Sequence, residues 1–263
     1  MDNLSMAWLE ETSRFDPDAY TSEVIGLATV LSHHDSGIHS HRKAQLLYTR
    51  HGCVRITLAN CLCLLPPSRA AWIPPRVTHR VQIRSAVEYR SVYLREDICA
   101  TLPADVRVIA VSPLLEAVLE AIANSDFEQE WADGRHTHIL GLCIDEIRNS
   151  KLEPMLLVLP KDRRVARSIT KGNRVPPELK VLEREAGATG KTITRIFQKE
   201  TGMTYHQWRQ QWRVMRAIEL LATGQSISHV AAELKFSSNS VFIAFFRKMV
   251  GSTPGRYLQK AGA

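Results

Sequence analysis

Phe236-Ser237-Ser238-Asn239-Ser240-Val241-Phe242-Ile243-Ala244-Phe245-Phe246-Arg247-Lys248 opens as a polar turn and continues as a helix. Ser238 stands where a side-chain oxygen accepts the free N–H groups of a helix's first turn. Val241, Phe242, Phe245 and Phe246 then recur at the spacing of one apolar helix face. Just upstream, residues 227–234 carry a shorter helical pattern. Helix, tight turn and capped helix is the helix-turn-helix layout, whose second helix lies in the DNA major groove.

The same build occurs earlier in the chain. A helix over residues 179–185 ends at Ala186-Gly187, and Thr189 caps a second one that runs through Ile193, Ile196 and Phe197 to Glu200. Between the two units, residues 205–221 place Trp208, Trp212, Met215, Ile218 and Leu221 at helical spacing. Gly224 stands just past that helix, where a left-handed C-cap is needed.

Charge divides the chain at the same place. Residues 162–263 hold 18 Lys+Arg against 7 Asp+Glu, a balance of +11, whereas residues 1–161 hold 16 against 20, a balance of −4. The basic part suits a polyanion; charge alone would equally serve RNA or a membrane surface. At 263 residues there is material for a core in each part. No apolar run reaches the ~18 residues of a membrane span, and residues 1–11 lack the basic and apolar segments of a signal peptide. A cytoplasmic location is expected, with the five cysteines as free thiols.

Residues 21–95 break into short β-rich runs, among them Leu46-Leu47-Tyr48, Cys53 to Leu58, Ala71-Trp72-Ile73 and Arg80 to Ile83. Pro66-Pro67, Pro74-Pro75, Gly37 and Gly52 punctuate them, which points to a small barrel or sandwich. Two amphipathic helices follow, one through Leu114, Leu115, Val118, Leu119 and Ile122, the other through Ile139, Leu140, Cys143, Ile144 and Ile147. They either cap the barrel or dimerise, with the first as the candidate interface. The expected organisation is thus two-domain: an all-β barrel with amphipathic helices over residues 1–150, a linker over 151–161, and an all-α domain with two helix-turn-helix units over 162–263.

The C-terminal strings carry a resemblance. Ala186-Gly187-Ala188-Thr189, the run Arg195 to Thr204, Arg216-Ala217-Ile218-Glu219-Leu220-Leu221 and Gly251-Ser252-Thr253-Pro254-Gly255-Arg256-Tyr257 are similar to the AraC/XylS family of bacterial regulators, over about 100 residues without a gap. The resemblance implies a sequence-specific DNA-binding transcriptional regulator, controlled by a small molecule or metal in the N-terminal barrel. It implies a homodimer on double-stranded DNA, with RNA polymerase as a further partner. Thr189, Lys191, Thr194 and Arg195 are expected at the groove in the first unit, where Thr194 and Arg195 have the chemistry for bases. Lys199 and Arg209 are expected on phosphates. The second unit offers Ser238, Asn239, Ser240 and Ile243, but Ile243-Ala244 replaces the polar residue and arginine usual there. Glu183 stands in place of a small residue, and Lys235 in place of a turn glycine, so an altered turn is expected.

Gly37-Ile38-His39-Ser40-His41 with Gln45, and Pro75-Arg76-Val77-Thr78-His79, resemble the two cupin motifs. That resemblance implies a metal set of His39, His41, Gln45 and His79, with glutamine in place of the usual glutamate. Three imidazoles suffice in number for a divalent transition metal; otherwise these side chains bind an organic effector or one another. Tyr48, Arg55 and Trp72 are the candidate effector-pocket residues. The competing functions are a metal-dependent cupin enzyme with an appended DNA-binding domain, and a non-catalytic adaptor. The loss of the glutamate and the basic C-terminal part weigh against the enzyme.

Overall fold

The structure is a computed structural model that describes residues 15–153, 155–169 and 175–261, with side chains as far as residue 257. Residues 1–11 and Pro154 of the expected linker lie outside the described residues. The chain divides into two compact units, with the main boundary between Met155 and Leu156 and with Ala59–Leu62 grouped with the second.

The first unit runs β1 (Val24–Leu31), β2 (His34–Asp35), β3 (Ala44–Thr49), β4 (Val54–Leu58), β5 (Cys61–Leu65), β6 (Arg69–Ile73), β7 (His79–Ile83), β8 (Val87–Leu94) and β9 (Arg107–Ala110). Helices α1 (Pro113–Ala123) and α2 (Gly134–Asn149) follow. One sheet has the order β1-β8-β3-β6-β9, and within this unit the other runs β5-β4-β7-β2. These are two separate sheets, so of the barrel and the sandwich the chain forms the sandwich. The chain passes between them at Pro66-Pro67, after β5, and at Pro74-Pro75, after β6. Prolines have no N–H with which to carry a ladder around such a corner.

Strand β3 is buried along its whole length. Its even-numbered residues Ala44, Leu46 and Tyr48 join Trp72, Val92, Leu115, Leu119 and Ile122 in one apolar cluster beneath the helices. Helix α1, capped by the Ser112 hydroxyl, uses its apolar face in this cluster. Its apolar stripe is thus committed inside the unit and is not available as a dimer interface; Leu114 alone of the five residues remains exposed. Gly26 of β1 makes the close approach possible, because a Cβ there would stand 1.7 Å from the Ile122 carbonyl oxygen.

Residues 151–153 are not a free linker. Ala110 N–H donates to Lys151 O, Glu153 N–H donates to Val108 O, and Leu152 bridges Ile109.

The second unit contains β10 (Leu156–Val158), α3 (Arg163–Ile169), α4 (Leu179–Ala186), α5 (Gly190–Thr201), α6 (Tyr205–Ala222), α7 (Ile227–Glu233), α8 (Asn239–Val250) and α9 (Pro254–Ala261). Helix α6 is its spine. Trp208 meets Phe197 of α5 edge-on at 5.4 Å and donates its indole N–H to Val158 O at 2.7 Å. A capping box of Thr204 and Gln207 starts α6.

Gly26→Ala is expected to cost the first unit about 3 kcal/mol, the upper end for an overpacked core. Calorimetric unfolding of the full chain reads this, and an unchanged transition would show that α1 moves away without penalty.

Candidate functional site

Two regions bring polar side chains together, one in each unit. In the second unit, α4 ends on Gly187 in the left-handed conformation, and the Thr189 hydroxyl accepts the Thr192 N–H at the start of α5. Ile193, Ile196 and Phe197 hold α5 against the core. That leaves Lys191, Thr194, Arg195 and Lys199 on one solvent-facing stripe, all exposed, with Gln198 beside them. Arg209 is half-buried, and its Nε donates to Pro176 O at 2.7 Å.

Glu183, a misfit by sequence, has a local role here. Its carboxylate accepts the N–H of Gly190, the first residue of α5. A carboxylate there completes the cap of the recognition helix and complements the positive end of its dipole.

The second unit's turn also keeps its form. Lys235 takes φ 57° and stays exposed, so lysine occupies the left-handed position that a glycine would fill without strain. Ser238 caps α8, while Asn239 Nδ2 donates to Ser228 Oγ at 2.8 Å. Phe242 and Phe246 are buried, whereas of the other two residues expected in the core face Phe245 is half-buried and Val241 is exposed. Ser240, Ile243, Ala244, Arg247, Lys248 and Thr253 line a shallow concavity. Arg247, one turn beyond Ala244 and exposed, is a cation on this face that sequence reasoning passed over.

So is Arg213 of α6. Its guanidinium lies 3.7 Å from the Phe236 ring centre and donates to Leu234 O at 2.8 Å. Burial, then the neighbouring Arg209, pushes its pKa down to about 10. It thus caps the end of α7 and supports the turn from inside, by stacking and a hydrogen bond. An arginine between Trp212 and Val214, inside an apolar helix pattern, was the available signal.

In the first unit, His39 and His79 form an antiparallel bridge, each N–H donating to the other's carbonyl at 2.9 Å. Their rings are tilted by 54° to each other, with centres 4.3 Å apart. His41 follows two residues after His39, its ring centre 5.1 Å from that of His79. One ring nitrogen from each of the three lies within 4.8 Å of the others. Each Nδ1 faces a backbone carbonyl two residues away: His39 to Gly37 O at 3.2 Å, His41 to Lys43 O at 2.5 Å, His79 to Val77 O at 2.9 Å. In each neutral ring Nδ1–H donates, so Nε2 carries the lone pair. His79 Nε2 is buried without a hydrogen-bond partner. Burial holds the His41 pKa low and pushes that of His79 down to about 4, so both stay neutral. Arg76, at φ 64°, donates its N–H to His41 O at 2.8 Å and ties the two histidine segments together.

Gln45 adjoins the cluster. Its Oε1 lies 3.4 Å from His41 Nε2, and its Nε2 lies within reach of three hydroxyls: Ser91 at 2.9 Å, Tyr93 at 3.1 Å and Tyr89 at 3.2 Å. Gln45, Tyr89 and Tyr93 line a pocket of about 280 Å³ whose apolar wall includes Phe15, Leu27, Leu31 and Val81. His39 and His41 line it too, whereas His79, grouped with them, does not.

Tyr48, Arg55 and Trp72 do not line this pocket. Strand parity is the reason: Gln45 faces the pocket, so Leu46 and Tyr48 face the other way. The Tyr48 hydroxyl donates to Glu116 of α1 at 2.8 Å, and Trp72, opposite Leu46 in the ladder, donates to Pro103 O at 2.8 Å. Arg55 sits opposite Gln82 on the outward parity of β4, between buried Val54 and Ile56. Charge and aromatic type suggested these three, but neither fixes which face a residue takes.

Comparison with known proteins matches both units. An AraC-like ligand binding domain fits residues 24–149, and a helix-turn-helix domain fits residues 182–260. The chain is similar to the HTH-type transcriptional regulator NimR of Escherichia coli strain K12, at 31% identity over 231 residues that cover 86% of this chain and 83% of NimR. It is also similar to the regulator RipA of Corynebacterium glutamicum, at 33% identity over 104 residues, 40% of this chain and 31% of RipA. Among solved structures, ToxT of Vibrio cholerae aligns over 90% of this chain and 98% of its own, at 11% identity and a TM-score of 0.36.

Glu183→Ala is expected to destabilise the first helix-turn-helix by about 1–2 kcal/mol, the range for a lost helix cap. Helical circular dichroism during thermal unfolding reads the loss, and an unshifted melt would mean that water serves the Gly190 N–H equally well.

Proposed function

The chain belongs to the AraC family of DNA-binding transcriptional regulators, and from that premise we propose how it reads DNA and what its sensor unit holds. The family is one of regulators with an N-terminal ligand-binding domain and not of enzymes.

The α5 stripe is the base-reading surface. Arg195 carries a planar fork suited to guanine, and Thr194 suits a base edge or thymine methyl. Lys191 and Lys199 flank them and serve phosphate, which fixes register. Arg209 keeps its outer nitrogens for phosphate while its Nε holds Pro176 O. In the second unit, Ile243 and Ala244 form an apolar patch for thymine methyls, with Arg247 as the adjacent phosphate ligand. Specificity is therefore weighted toward the first unit.

In the sensor unit, His39, His41 and His79 hold a divalent transition metal through their Nε2 atoms. The single observation that carries this is the buried, unpartnered Nε2 of His79, facing two other imidazoles whose Nδ1 atoms are already engaged. Backbone carbonyls on the far nitrogens are the usual support for metal-binding histidines, because they fix ring orientation and tautomer. Metal bound there supplies a Lewis-acidic point on the pocket wall for a donor atom of the effector. The residues themselves orient the ligand atoms and exclude water from one side of the site.

Selection of binding sites from random duplex DNA by the full-length protein tests the DNA half. Arg195→Ala is expected to weaken the selected site by about 1–3 kcal/mol while leaving random DNA nearly as well bound; an equal loss on both would reduce Arg195 to a phosphate contact. For the sensor half, calorimetric titration with Ni²⁺ is expected to show one site per chain. His79→Ala should weaken it by more than the ~10–100-fold that follows loss of a supporting partner. Equal affinity in the variant would remove the metal from this site and leave an organic effector alone.

A further inference from the structure

The turn between α7 and α8 carries strain at one position. Lys235 adopts φ 57°, where the Cβ of any residue but glycine crowds the backbone. Its N–H donates to Ala232 O at 3.0 Å, and that of Phe236 donates to Ala231 O at 2.9 Å. Leu234, just before it, is wholly buried, so water does not reach its carbonyl. Arg213 Nη2 supplies the donor there, at 2.8 Å.

Arg213 comes to this turn from α6, and only 8% of it is exposed. Its guanidinium lies 3.7 Å from the centre of the Phe236 ring and 5.5 Å from that of Phe245 in α8. Phe236 in turn packs against Phe245 at 4.9 Å and Phe242 at 5.4 Å. One planar side chain therefore meets the residue before Lys235, the residue after it and the helix that follows. The Gln210 amide oxygen lies 3.5 Å from Nη1, and among the described residues no carboxylate pairs with the guanidinium. Its plane and its fork make the contact, which a lysine ammonium cannot reproduce.

We infer that Arg213 is a positioning residue for DNA recognition by the second helix-turn-helix: by pinning the Leu234 carbonyl and the Phe236 ring, it holds the turn in the left-handed form that Lys235 resists, and so fixes which face of α8 meets the groove. The inference rests on the reading of α8 as a DNA-facing helix. Phe242 and Phe246 are buried on one side of α8, while Ser240, Ala244 and Arg247 are exposed on the other. A relaxed turn would re-aim that exposed face without unfolding the helix. Without Arg213 the aligned turn becomes a minority state, and apparent affinity falls with the fraction of molecules that keep it. Glycine takes the left-handed conformation unaided, so Lys235→Gly removes the need for the clamp.

The test uses full-length protein and the duplex that wild type selects from random DNA, read by hydroxyl-radical footprinting and by titration. Wild type is expected to protect two tracts, one for each helix-turn-helix. Arg213→Met should keep the tract of the first unit and lose that of the second. Its affinity should fall about tenfold, as for an aligned turn occupied about a tenth of the time. Adding Lys235→Gly to Arg213→Met should restore the second tract and most of the affinity. The inference is overturned if Arg213→Met keeps both tracts, if it weakens both alike, or if Lys235→Gly restores nothing. Thermal melts check that each variant is folded at the assay temperature. If Arg213→Met is not, Arg213→Lys, which keeps the charge but loses the plane and the fork, replaces it in the same comparison. A single protected tract in wild type would instead sink the reading of α8 as DNA-facing, and the inference with it.

Discussion

Strand β3 is buried on both faces, and every residue along it must therefore serve one layer or the other. Its pleat makes that division rigid, since successive side chains point to opposite faces. Gln45 goes to the pocket, where it meets the β8 hydroxyls. Ala44, Leu46 and Tyr48 go to the helices, where they meet α1. A slip of one residue in the β3–β8 register would exchange the two sets and place an amide under α1 and a leucine among the histidines. Pocket chemistry and helix docking thus depend on the same ladder, and Gly26, by admitting α1 close to β1, keeps that ladder covered.

The DNA-binding unit rests on a different constraint: its helices are short and must be terminated accurately. Helix α4 has 8 residues and α7 has 7, too few to be stable without packing and caps. The caps come from both ends. Thr189, Thr204, Ser226 and Ser238 start helices with a hydroxyl, and Gly187, Gly202 and Gly251 end them in the left-handed conformation. Glu183 and Arg213 are long-range versions of the same device, one closing the start of α5 and the other the end of α7. Glu183 holds α5 from behind, whereas Arg213 holds the end of α7 and the turn that leads into α8.

This contrast explains what could be read from residues alone. The helix-turn-helix units were legible because caps, left-handed turns and helical spacing are written within a few neighbouring positions. The histidines and Gln45 were legible through the resemblance that places them together. Tyr48 and Trp72 were misplaced because β3 reads Ala44-Gln45-Leu46-Leu47-Tyr48-Thr49, which is too uniformly apolar for a period-two signal to tell the faces apart. Barrel and sandwich both stayed open because strand lengths and turn positions are the same for both; only the ladder partners distinguish them. Glu183 and Lys235 registered as departures, but their outcomes depended on the Gly190 N–H and on a solvent-exposed turn, neither of which has a local sequence signature.

Geometry and charge at the histidine cluster come from separate sources. Orientation is set by the backbone: each imidazole is held by a carbonyl two residues along its own chain, and the bridge between His39 and His79 sets the spacing. None of these contacts depends on the identity of residue 45. Residue 45 can change the charge without changing the packing, because the hydroxyls of Tyr89, Ser91 and Tyr93 can accept from an amide or donate to a carboxylate. A glutamate would fit the same shell, so packing does not account for the glutamine. What the amide changes is the charge of the pocket wall that it lines.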